Sequence, residues 1–237
     1  MSKLRRLDQT LASLGYGSRR DARALIANGS VTVRDELFFD EGAKINPYDV
    51  MVNGARVEAP DGLLAIFHKP TGYVCTHADG EGPTIYELLP PRWSLRNPPA
   101  TSVGRLDKET SGLLLITDQG QLVQRWTSPK ADIEKTYDVS VDKLLDKSLS
   151  DVFSSGTLLL RGEDKPCLPA RFEIVDELHA RLTLTEGRYH QVRRMFASQG
   201  WHVVALHRSR FEGYTLAGIE LGKWRMLVVA EAGITKA

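Results

Sequence analysis

One carboxylate stands out among the residues whose types and spacing could do chemistry. Asp107 lies in a short polar loop between Gly104 and Gly112, directly before the apolar run of residues 113–116. An apolar run of this length predicts a buried strand, and loops that lead into such strands commonly present functional groups. Asp107 is therefore a candidate catalytic carboxylate. An aspartate beside glycine is equally typical of a turn or a helix cap, so the local pattern leaves both roles open.

Basic residues are concentrated in two parts of a chain whose net charge is only +1. The first block lies within residues 1–34 and the second within residues 188–210, where Glu186 is the nearest acidic neighbour. Local basic patches on a nearly neutral chain indicate contact with a polyanion such as nucleic acid. Each block could equally be the solvated face of a helix.

Two short helices and a hairpin are predicted near the N-terminus. Leucines at helical spacing predict the first helix over residues 7–14. A capping box formed by Ser18 and Asp21 predicts the start of the second helix. The pair Asn53-Gly54, between two short apolar runs, predicts the turn of a β-hairpin. These elements predict a small N-terminal α/β domain.

The rest of the chain predicts a larger domain, so the fold class is α+β. The polar residues 59–62, which include Pro60 and Gly62, form the best linker, and we expect domains over residues 1–58 and 63–237. Alternating apolar residues with closely spaced turns indicate a mixed, mainly antiparallel sheet rather than repeated βαβ units. We expect residues 77–100, rich in Gly and Pro, to form a long surface connection, and residues 158–160 to form a strand.

Composition and motifs exclude several protein classes. The hydrophobic fraction of 42% and charged fraction of 26% are ordinary for a folded protein, and no segment is apolar for long enough to span a bilayer. Cys75 and Cys167 lie far apart, which argues against a disulfide framework and a zinc site. There is no phosphate-binding loop, and the histidines lack metal-ligand spacing. We therefore expect no cofactor, no metal and, without a secretory signal, a cytoplasmic protein.

Three motifs resemble those of the RNA pseudouridine synthases, and they occur in the family's order across nearly the whole chain. They are Gly104-Arg105-Leu106-Asp107 with Thr110-Ser111-Gly112-Leu113, then Lys135-Thr136-Tyr137, and finally Gly187-Arg188-Tyr189-His190-Gln191-Val192-Arg193. Lys69-Pro70-x-Gly72 also resembles the family, although a simple turn would explain it equally well. Residues 162–170 resemble the branch that modifies small-subunit ribosomal RNA.

The resemblance implies a role for each central residue. Asp107 is the single catalytic carboxylate, and Tyr137 packs against a uridine flipped out of the RNA. Arg193 pairs with Asp107, which keeps the carboxylate charged and oriented. Arg105 helps to hold the flipped conformation. Arg194 rivals Arg193, because the sequence does not show which of the two side chains points inward.

Further residues are expected to bind RNA. The N-terminal part resembles an RNA-binding module shared with a ribosomal small-subunit protein, which recognises backbone charge and RNA shape. The residues implied to contact RNA are Lys135, Arg188 and Arg194 in the larger domain and Arg19, Arg20 and Arg23 on the second N-terminal helix. The expected partner is ribosomal RNA or a partly assembled ribosomal subunit, bound by a monomer.

The implied reaction converts a uridine of small-subunit 16S ribosomal RNA to pseudouridine. The reaction is redox-neutral and requires no cofactor, and the sequence does not distinguish covalent attachment to Asp107 from proton abstraction. Large-subunit RNA is the competing substrate, and a non-catalytic RNA-binding assembly factor is an alternative function. A glycosidase-type hydrolase would need a second carboxylate, for which Glu109 is the local candidate.

Overall fold

The chain folds into an α+β structure, which a computed structural model describes for residues 3–78, 80, 82–128 and 131–227. The helices are α1 (Leu7–Ser13), α2 (Arg19–Ala27), α3 (Pro91–Ser94), α4 (Gly120–Thr127), α5 (Ser148–Ser154) and α6 (Gln191–Ser198). The strands are β1 (Arg5–Arg6), β2 (Val31–Val33), β3 (Glu36–Leu37), β4 (Lys44–Ile45), β5 (Val50–Val52), β6 (Ala55–Arg56), β7 (Leu64–Lys69), β8 (Thr101–Ser102), β9 (Thr110–Thr117), β10 (Lys135–Val141), β11 (Arg171–Ile174), β12 (His179–Leu184), β13 (Val203–Phe211), β14 (Tyr214–Thr215) and β15 (Trp224–Met226).

The N-terminal helices pack on a small sheet with the strand order β3-β2-β5-β6. Ser18 and Asp21 form the predicted capping box at the start of α2, which satisfies two backbone amides that the first helical turn leaves unpaired. The predicted hairpin joins β5 to β6, and Asn53 and Gly54 both have positive φ, at 50° and 77°. The predicted helices and hairpin are therefore confirmed.

The larger part of the chain is built on a nine-stranded sheet. Its order is β11-β12-β10-β13-β9-β7-β15, with β8 paired to β9 and β14 paired to β13. Among the described strand pairs, β9 and β13 run parallel and the others run antiparallel, which confirms the predicted mixed sheet. Strand β9 contains residues 113–116, all fully buried, as the apolar run predicts.

Helices cover the central strands and bury aromatic side chains. Helices α5 and α6 pack Phe153 and Phe196 against β10, β12 and β13. Trp126 of α4 belongs to a second apolar cluster with β7 and β9, and Trp93 of α3 belongs to a third. This packing places the loop that leads into β9 close to the start of α6.

Two expectations about the connections are wrong. Residues 77–100 are not simply a surface connection, because they contain a 3-10 turn (Ile85–Leu88) and α3, and both Ile85 and Trp93 are buried. Their spaced apolar side chains can fill the core although the backbone between them is irregular. Residues 158–160 form no strand, since β11 takes the edge position beside β12. Across the described ranges, no helix has the length and apolar character needed to cross a membrane.

Candidate active site

Asp107 lies in the tight loop between β8 and β9. The hydroxyl of Ser102 donates to the Gly104 carbonyl at 2.8 Å, and the Thr110 amide donates to the Asp107 carbonyl at 3.0 Å. Gly104 has a φ of 70°, a conformation that favours glycine. The loop therefore has a defined shape, and it leaves the Asp107 side chain 35% exposed.

A buried lysine anchors this loop from beneath. Lys69, at the end of β7, is fully buried, and burial lowers the pKa of its ammonium from the ordinary value. Its Nζ lies within hydrogen-bond distance of four carbonyl oxygens, those of Thr110 at 2.9 Å, Pro70 at 3.0 Å, Asp107 at 3.1 Å and Lys108 at 3.4 Å. These contacts give the Lys-Pro motif a structural role that a simple turn does not explain.

The Asp107 side chain lines a cavity of about 530 Å³. Four other predicted site residues line the same cavity, namely Arg105, Lys135, Tyr137 and Arg188. They come from the loop before β9, from β10 and from the segment before α6, so only the tertiary fold brings them together. Among the predicted residues Arg193 and Arg194 do not line it.

Lys135 and Tyr137 reach the cavity from alternate positions of β10, as strand periodicity requires. The Lys135 ammonium donates to the carbonyl of Ile133 at 2.7 Å and of Thr185 at 3.3 Å. Burial, and then the positive charge of Arg208, lower its pKa. Tyr137 is half-buried between two apolar clusters, which leaves part of its ring facing the cavity.

The predicted Arg193–Asp107 ion pair is not formed. Arg193 donates to the carbonyl of Val203 at 2.8 Å and to the carbonyl of Glu109, within the loop that carries Asp107, at 3.1 Å. Among the described residues, the side chain in contact with the Asp107 carboxylate is instead His190, whose Nε2 lies 3.4 Å from Oδ1. The first turn of α6 directs Arg193 towards the backbone of the loop instead of towards its carboxylate.

Arg194 is also turned away from Asp107. It donates to the Glu163 carboxylate at 2.7 Å and to the Arg161 carbonyl at 2.7 Å. The hydrogen bond to Glu163 lowers the pKa of that carboxyl group. Arg188 donates to the carbonyls of Lys165 and Pro166, both at 2.6 Å. These two predicted RNA-binding residues therefore hold the turn of residues 161–166 against the start of α6.

His190 has a strained backbone beside Asp107. Its φ of 47° and ψ of 35° are left-handed values that a non-glycine residue seldom adopts. Its ring is stacked on that of Tyr189, with centroids 3.9 Å apart and an interplanar angle of 16°. Tyr189 is 74% exposed at the cavity rim. The third motif contains His190, but its sequence pattern gives no sign of this contact.

Arg208 also lines the cavity, and sequence reasoning assigned it no role in the site. It lies on β13 and is only 2% exposed. The available signal was an arginine within a strand whose apolar residues Val203, Leu206 and Phe211 are buried. Arg208 lies two positions after the buried Leu206, so it is a charge on the buried face of the strand, which is unusual unless the charge has a partner or a function.

The predicted N-terminal RNA-binding arginines lie apart from this cavity. Arg19 and Arg23 share one side of α2, as predicted, and both donate to the fully buried Asp8 carboxylate, at 2.8 and 3.1 Å. Arg6 donates to Asp8 as well. Burial opposes ionisation of Asp8, but the three arginines outweigh burial and hold its pKa well below the usual range. Arg20 is exposed.

The second carboxylate that a glycosidase-type site would need is not where the sequence suggested. Glu109 is exposed and does not line the cavity. Glu186 does line it, but its oxygens accept hydrogen bonds from Gln191 at 2.6 Å and from Arg188 at 3.0 Å. Within the described part of the chain, no group of three or more His, Cys, Asp or Glu side chains is placed to hold a metal ion.

Comparison with known proteins accounts for both parts of the chain. Residues 64–198 match the RNA pseudouridylate synthase family, and residues 5–33 match the S4 domain. A Pasteurella multocida protein named ribosomal small subunit pseudouridine synthase A is 40% identical over 207 residues, covering 86% of this chain and 87% of that protein. The Escherichia coli K12 protein of the same name is 38% identical over 231 residues, covering 95% and 97%.

A solved structure gives the same result for the fold. A crystal structure of a pseudouridylate synthase matches with a TM-score of 0.66 and 35% identity, and the match covers 96% of this chain and 98% of that one. The three sequence motifs meet in one cavity around Asp107 and Tyr137. With its S4 domain and its synthase domain both matched along most of its length, the chain belongs to the RNA pseudouridine synthase family.

Proposed function

We propose that this enzyme converts a uridine of small-subunit ribosomal RNA to pseudouridine, with Asp107 as the catalytic carboxylate. The observation that carries the proposal is the cavity in which Asp107 and Tyr137 meet beside Arg105 and Lys135. The choice of substrate rests on the relatives named ribosomal small subunit pseudouridine synthase A, which are about 38% identical over nearly the whole chain.

In the proposed reaction, the target uridine leaves the RNA stack and its base lies against Tyr137. An aromatic face binds an extruded base irrespective of the base's hydrogen-bonding pattern. Asp107 then acts at the sugar, either by attaching to C1′ or by removing the 2′ proton, and the N1–C1′ bond breaks. The uracil turns within the cavity and bonds to C1′ through C5, while the Asp107–C1′ bond breaks or, in the other route, Asp107 returns the 2′ proton. The C5 proton then leaves and N1 gains a proton.

Arg193 has a different role in this proposal from the one that the motif implies. Its hydrogen bond to the Glu109 carbonyl holds the loop that carries Asp107, so it is a positioning residue. Arg105 is exposed at the cavity rim, where it can meet the RNA backbone next to the flipped nucleotide. Lys135 borders the same cavity through an ammonium that is partly engaged with backbone carbonyls.

RNA binding also involves the N-terminal domain, in this proposal residues 1–58, joined to the catalytic domain by residues 59–62. Arg19 and Arg23 present a basic face on α2, ordered by Asp8, and the exposed Arg20 extends that face. The partner is ribosomal RNA or a partly assembled subunit, bound by a monomer in the cytoplasm. Because phosphate contacts dominate such binding, RNA affinity should fall steeply as salt is raised.

The test compares wild type, Asp107→Asn and Glu109→Gln on small-subunit ribosomal RNA labelled with tritium at uracil C5. Wild type should release tritium, Asp107→Asn should release none, and Glu109→Gln should match wild type because Glu109 lies outside the cavity. The modified position is then mapped in the product RNA.

Each other outcome would change the proposal in a defined way. Equal release by wild type and Asp107→Asn would show that Asp107 is not the catalytic residue. Release only from large-subunit RNA would overturn the choice of substrate and leave the reaction intact. Failure on both RNAs and on partly assembled subunits would contradict catalysis and favour an RNA-binding assembly factor.

A further inference from the structure

Arg208 lies on β13, in the middle of the nine-stranded sheet. Strand β13 lies between β9 and β10, and Arg208 is paired with Gly112 on one side and Tyr137 on the other. The register between β10 and β13 shifts at this point, because Tyr137 pairs with Arg208 whereas the preceding Thr136 pairs with Arg210. As a result, Arg208 faces the cavity and Arg210 faces a separate groove. Such bulges commonly redirect side chains next to active sites. Arg208 therefore reaches the cavity floor from a rigid strand.

The Arg208 guanidinium has too few partners for a buried cation. Its Nε donates to the Leu113 carbonyl at 2.8 Å, and its Cζ lies 5.1 Å from the centre of the Phe211 ring. Its Nη2 is buried without a hydrogen-bond partner, and Arg208 takes part in none of the ion pairs of the described residues. A buried arginine is always charged, and leaving it unpaired is costly. The feature requires an explanation.

A second unpartnered polar atom belongs to another residue that lines the cavity. The hydroxyl oxygen of Thr110 is buried and makes no hydrogen bond, and Thr110 lines the cavity with Arg208 and Asp107. A uracil ring carries two carbonyl oxygens, which accept hydrogen bonds, and one N3–H, which donates. A guanidinium and a hydroxyl match adjacent groups on that edge.

Depth in the cavity favours a base over a phosphate as the partner of Arg208. When a nucleotide flips into a pocket, its base enters first and its phosphates stay with the RNA backbone. The exposed Arg105 is at the rim, whereas Arg208 is 2% exposed. The uracil edge is therefore the part of the substrate that can approach the Arg208 side chain.

We propose that Arg208 donates a hydrogen bond to a carbonyl oxygen of the flipped uracil and stabilises the negative charge that forms on it. When the N1–C1′ bond breaks, its electron pair stays on the uracil, and the charge is shared by N1, O2 and O4. C1′ is meanwhile held by Asp107 or relieved by loss of the 2′ proton to Asp107. C5 then bonds to C1′, which takes up the negative charge; the bond between Asp107 and C1′ breaks in that step or, in the other route, Asp107 returns the proton to C2′. The C5 proton is then lost and N1 gains a proton, which leaves neutral pseudouridine and a free Asp107 carboxylate. This inference rests on the proposed function.

The experiment uses the full-length protein and RNA in which the mapped uridine alone is replaced by 2-thiouridine or 4-thiouridine. Sulfur accepts hydrogen bonds weakly, so each replacement removes one carbonyl acceptor. Single-turnover rates and RNA affinities are measured for wild type, Arg208→Met and Arg210→Met. Arg210→Met is the matched control. Arg210 lies two residues further along the same strand, and its side chain faces the separate groove instead of the cavity.

Arg208→Met should lower the single-turnover rate about 100- to 1,000-fold, the loss typical of removing one charge-stabilising donor, with RNA affinity changed by less than about twofold. Arg210→Met should stay within about twofold of wild type. One of the two thio replacements should slow wild type strongly and have little further effect on Arg208→Met. That coupling would show whether Arg208 donates to O2 or to O4 of the uracil. A purely structural role for Arg208 would not produce it.

Three results would overturn the inference. The thio effects could be the same in wild type and Arg208→Met, which would mean no contact with either oxygen. Alternatively, Arg208→Met could bind RNA more weakly, and the slope of its log affinity against log salt concentration could be smaller by about one. That result would indicate that Arg208 contacts a phosphate. Inactivity of wild type on the unmodified RNA would remove the proposed function itself. If Arg208→Met does not fold, Arg208→Lys keeps the charge and undergoes the same thio comparison.

Discussion

At the scale of single residues, the loop that carries Asp107 is held from outside by Lys69. Four carbonyl oxygens converge on its Nζ, three of them from the loop and the start of β9. Carbonyls that point at one another repel unless a donor lies between them, and burial strengthens both the repulsion and its relief. Lys69 thereby fixes the backbone on which Asp107 is carried.

We expect Lys69→Met to lower the turnover rate about 10- to 100-fold, because a displacement of about 1 Å in a catalytic group has effects of this size. RNA affinity should change little, since Lys69 is fully buried and does not reach the RNA. The free energy of unfolding should fall by about 2 kcal/mol because buried carbonyls lose their donor. Tritium release measures the turnover rate, and urea unfolding measures the free energy of unfolding.

Lys108→Met is the control for this prediction, because Lys108 is in the same loop but exposed. It should keep both its turnover rate and its stability close to wild type. A Lys69→Met enzyme with an unchanged turnover rate would show that the loop keeps its shape without the buried ammonium.

At the scale of secondary-structure elements, the site depends on the close approach of β9 and β13. A Cβ atom on Gly112 would lie 2.3 Å from the Arg208 carbonyl oxygen and 2.4 Å from the Arg208 nitrogen. The φ of Gly112 is 122°, which side chains of L-residues seldom adopt. The close packing of β9 and β13 therefore requires glycine at position 112. The same packing sets the position of Arg208 relative to Asp107.

Gly112→Ala should lower the free energy of unfolding by about 3 kcal/mol, because the strands must separate and the backbone is strained. Gly120→Ala is the matched control: a Cβ there meets nothing within 4 Å, at the start of α4. It should be neutral or stabilising by up to about 1 kcal/mol. Equal unfolding midpoints for the two variants would contradict this account of β9 and β13.

Asp8 acts at the same scale, because its buried carboxylate joins β1, α1 and α2 through three arginines. Its folded-state pKa lies below its unfolded value of about 4. The stabilisation is therefore present above about pH 4 and is lost as the pH falls towards the folded-state pKa.

We expect Asp8→Asn to cost about 2 kcal/mol of unfolding free energy at pH 7, and to weaken RNA binding because Arg19 and Arg23 lose their anchor. The difference from wild type should shrink as the pH is lowered from 5 towards 2, as followed by urea unfolding. Glu41→Gln, which removes an exposed partner of Arg23, should have little effect. A difference that does not change with pH would rule out ionised Asp8 as the source.

At the scale of the whole molecule, the two parts of the chain are joined by buried polar contacts. Arg96, 4% exposed, donates to the carbonyls of Glu58 at 3.0 Å and Ala59 at 2.7 Å and pairs with Asp118 at 2.7 Å. The indole nitrogen of Trp93 donates to the Glu58 carboxylate at 2.6 Å. Residue 58 and the first residue of the proposed linker, Ala59, are thus held against the segment of Trp93 and Arg96 in the larger part of the chain.

Arg96→Met should lower the free energy of unfolding by about 3 kcal/mol, because the Asp118 carboxylate would stay buried without its counter-charge. Proteolytic cleavage near residues 58–63 should become faster. Arg92→Met serves as the control, since that variant removes only a partly exposed contact with Tyr16. If the two variants were cleaved at the same rate, Arg96 would not be what holds this segment.

The sequence by itself determined the elements whose signals are local. Helix spacing, the capping box at Ser18, the hairpin at Asn53 and the buried run of β9 all depend on neighbours within a few residues, and each is confirmed. The motifs likewise identified the family and predicted that Asp107 and Tyr137 act in one site, and the fold places both on one cavity. Local patterns fail where apolar residues are scattered, as in residues 77–100.

Only the tertiary structure decided which groups each arginine contacts, and that neither Arg193 nor Arg194 pairs with Asp107. Arg188, Arg193 and Arg194 share one motif, yet their guanidinium groups bond to carbonyls and carboxylates of distant segments. Arg208 reaches the cavity because a strand pairing and a register shift direct it there. A long, flexible cation takes its direction from packing partners that lie far away in the sequence, and no local spacing encodes those partners.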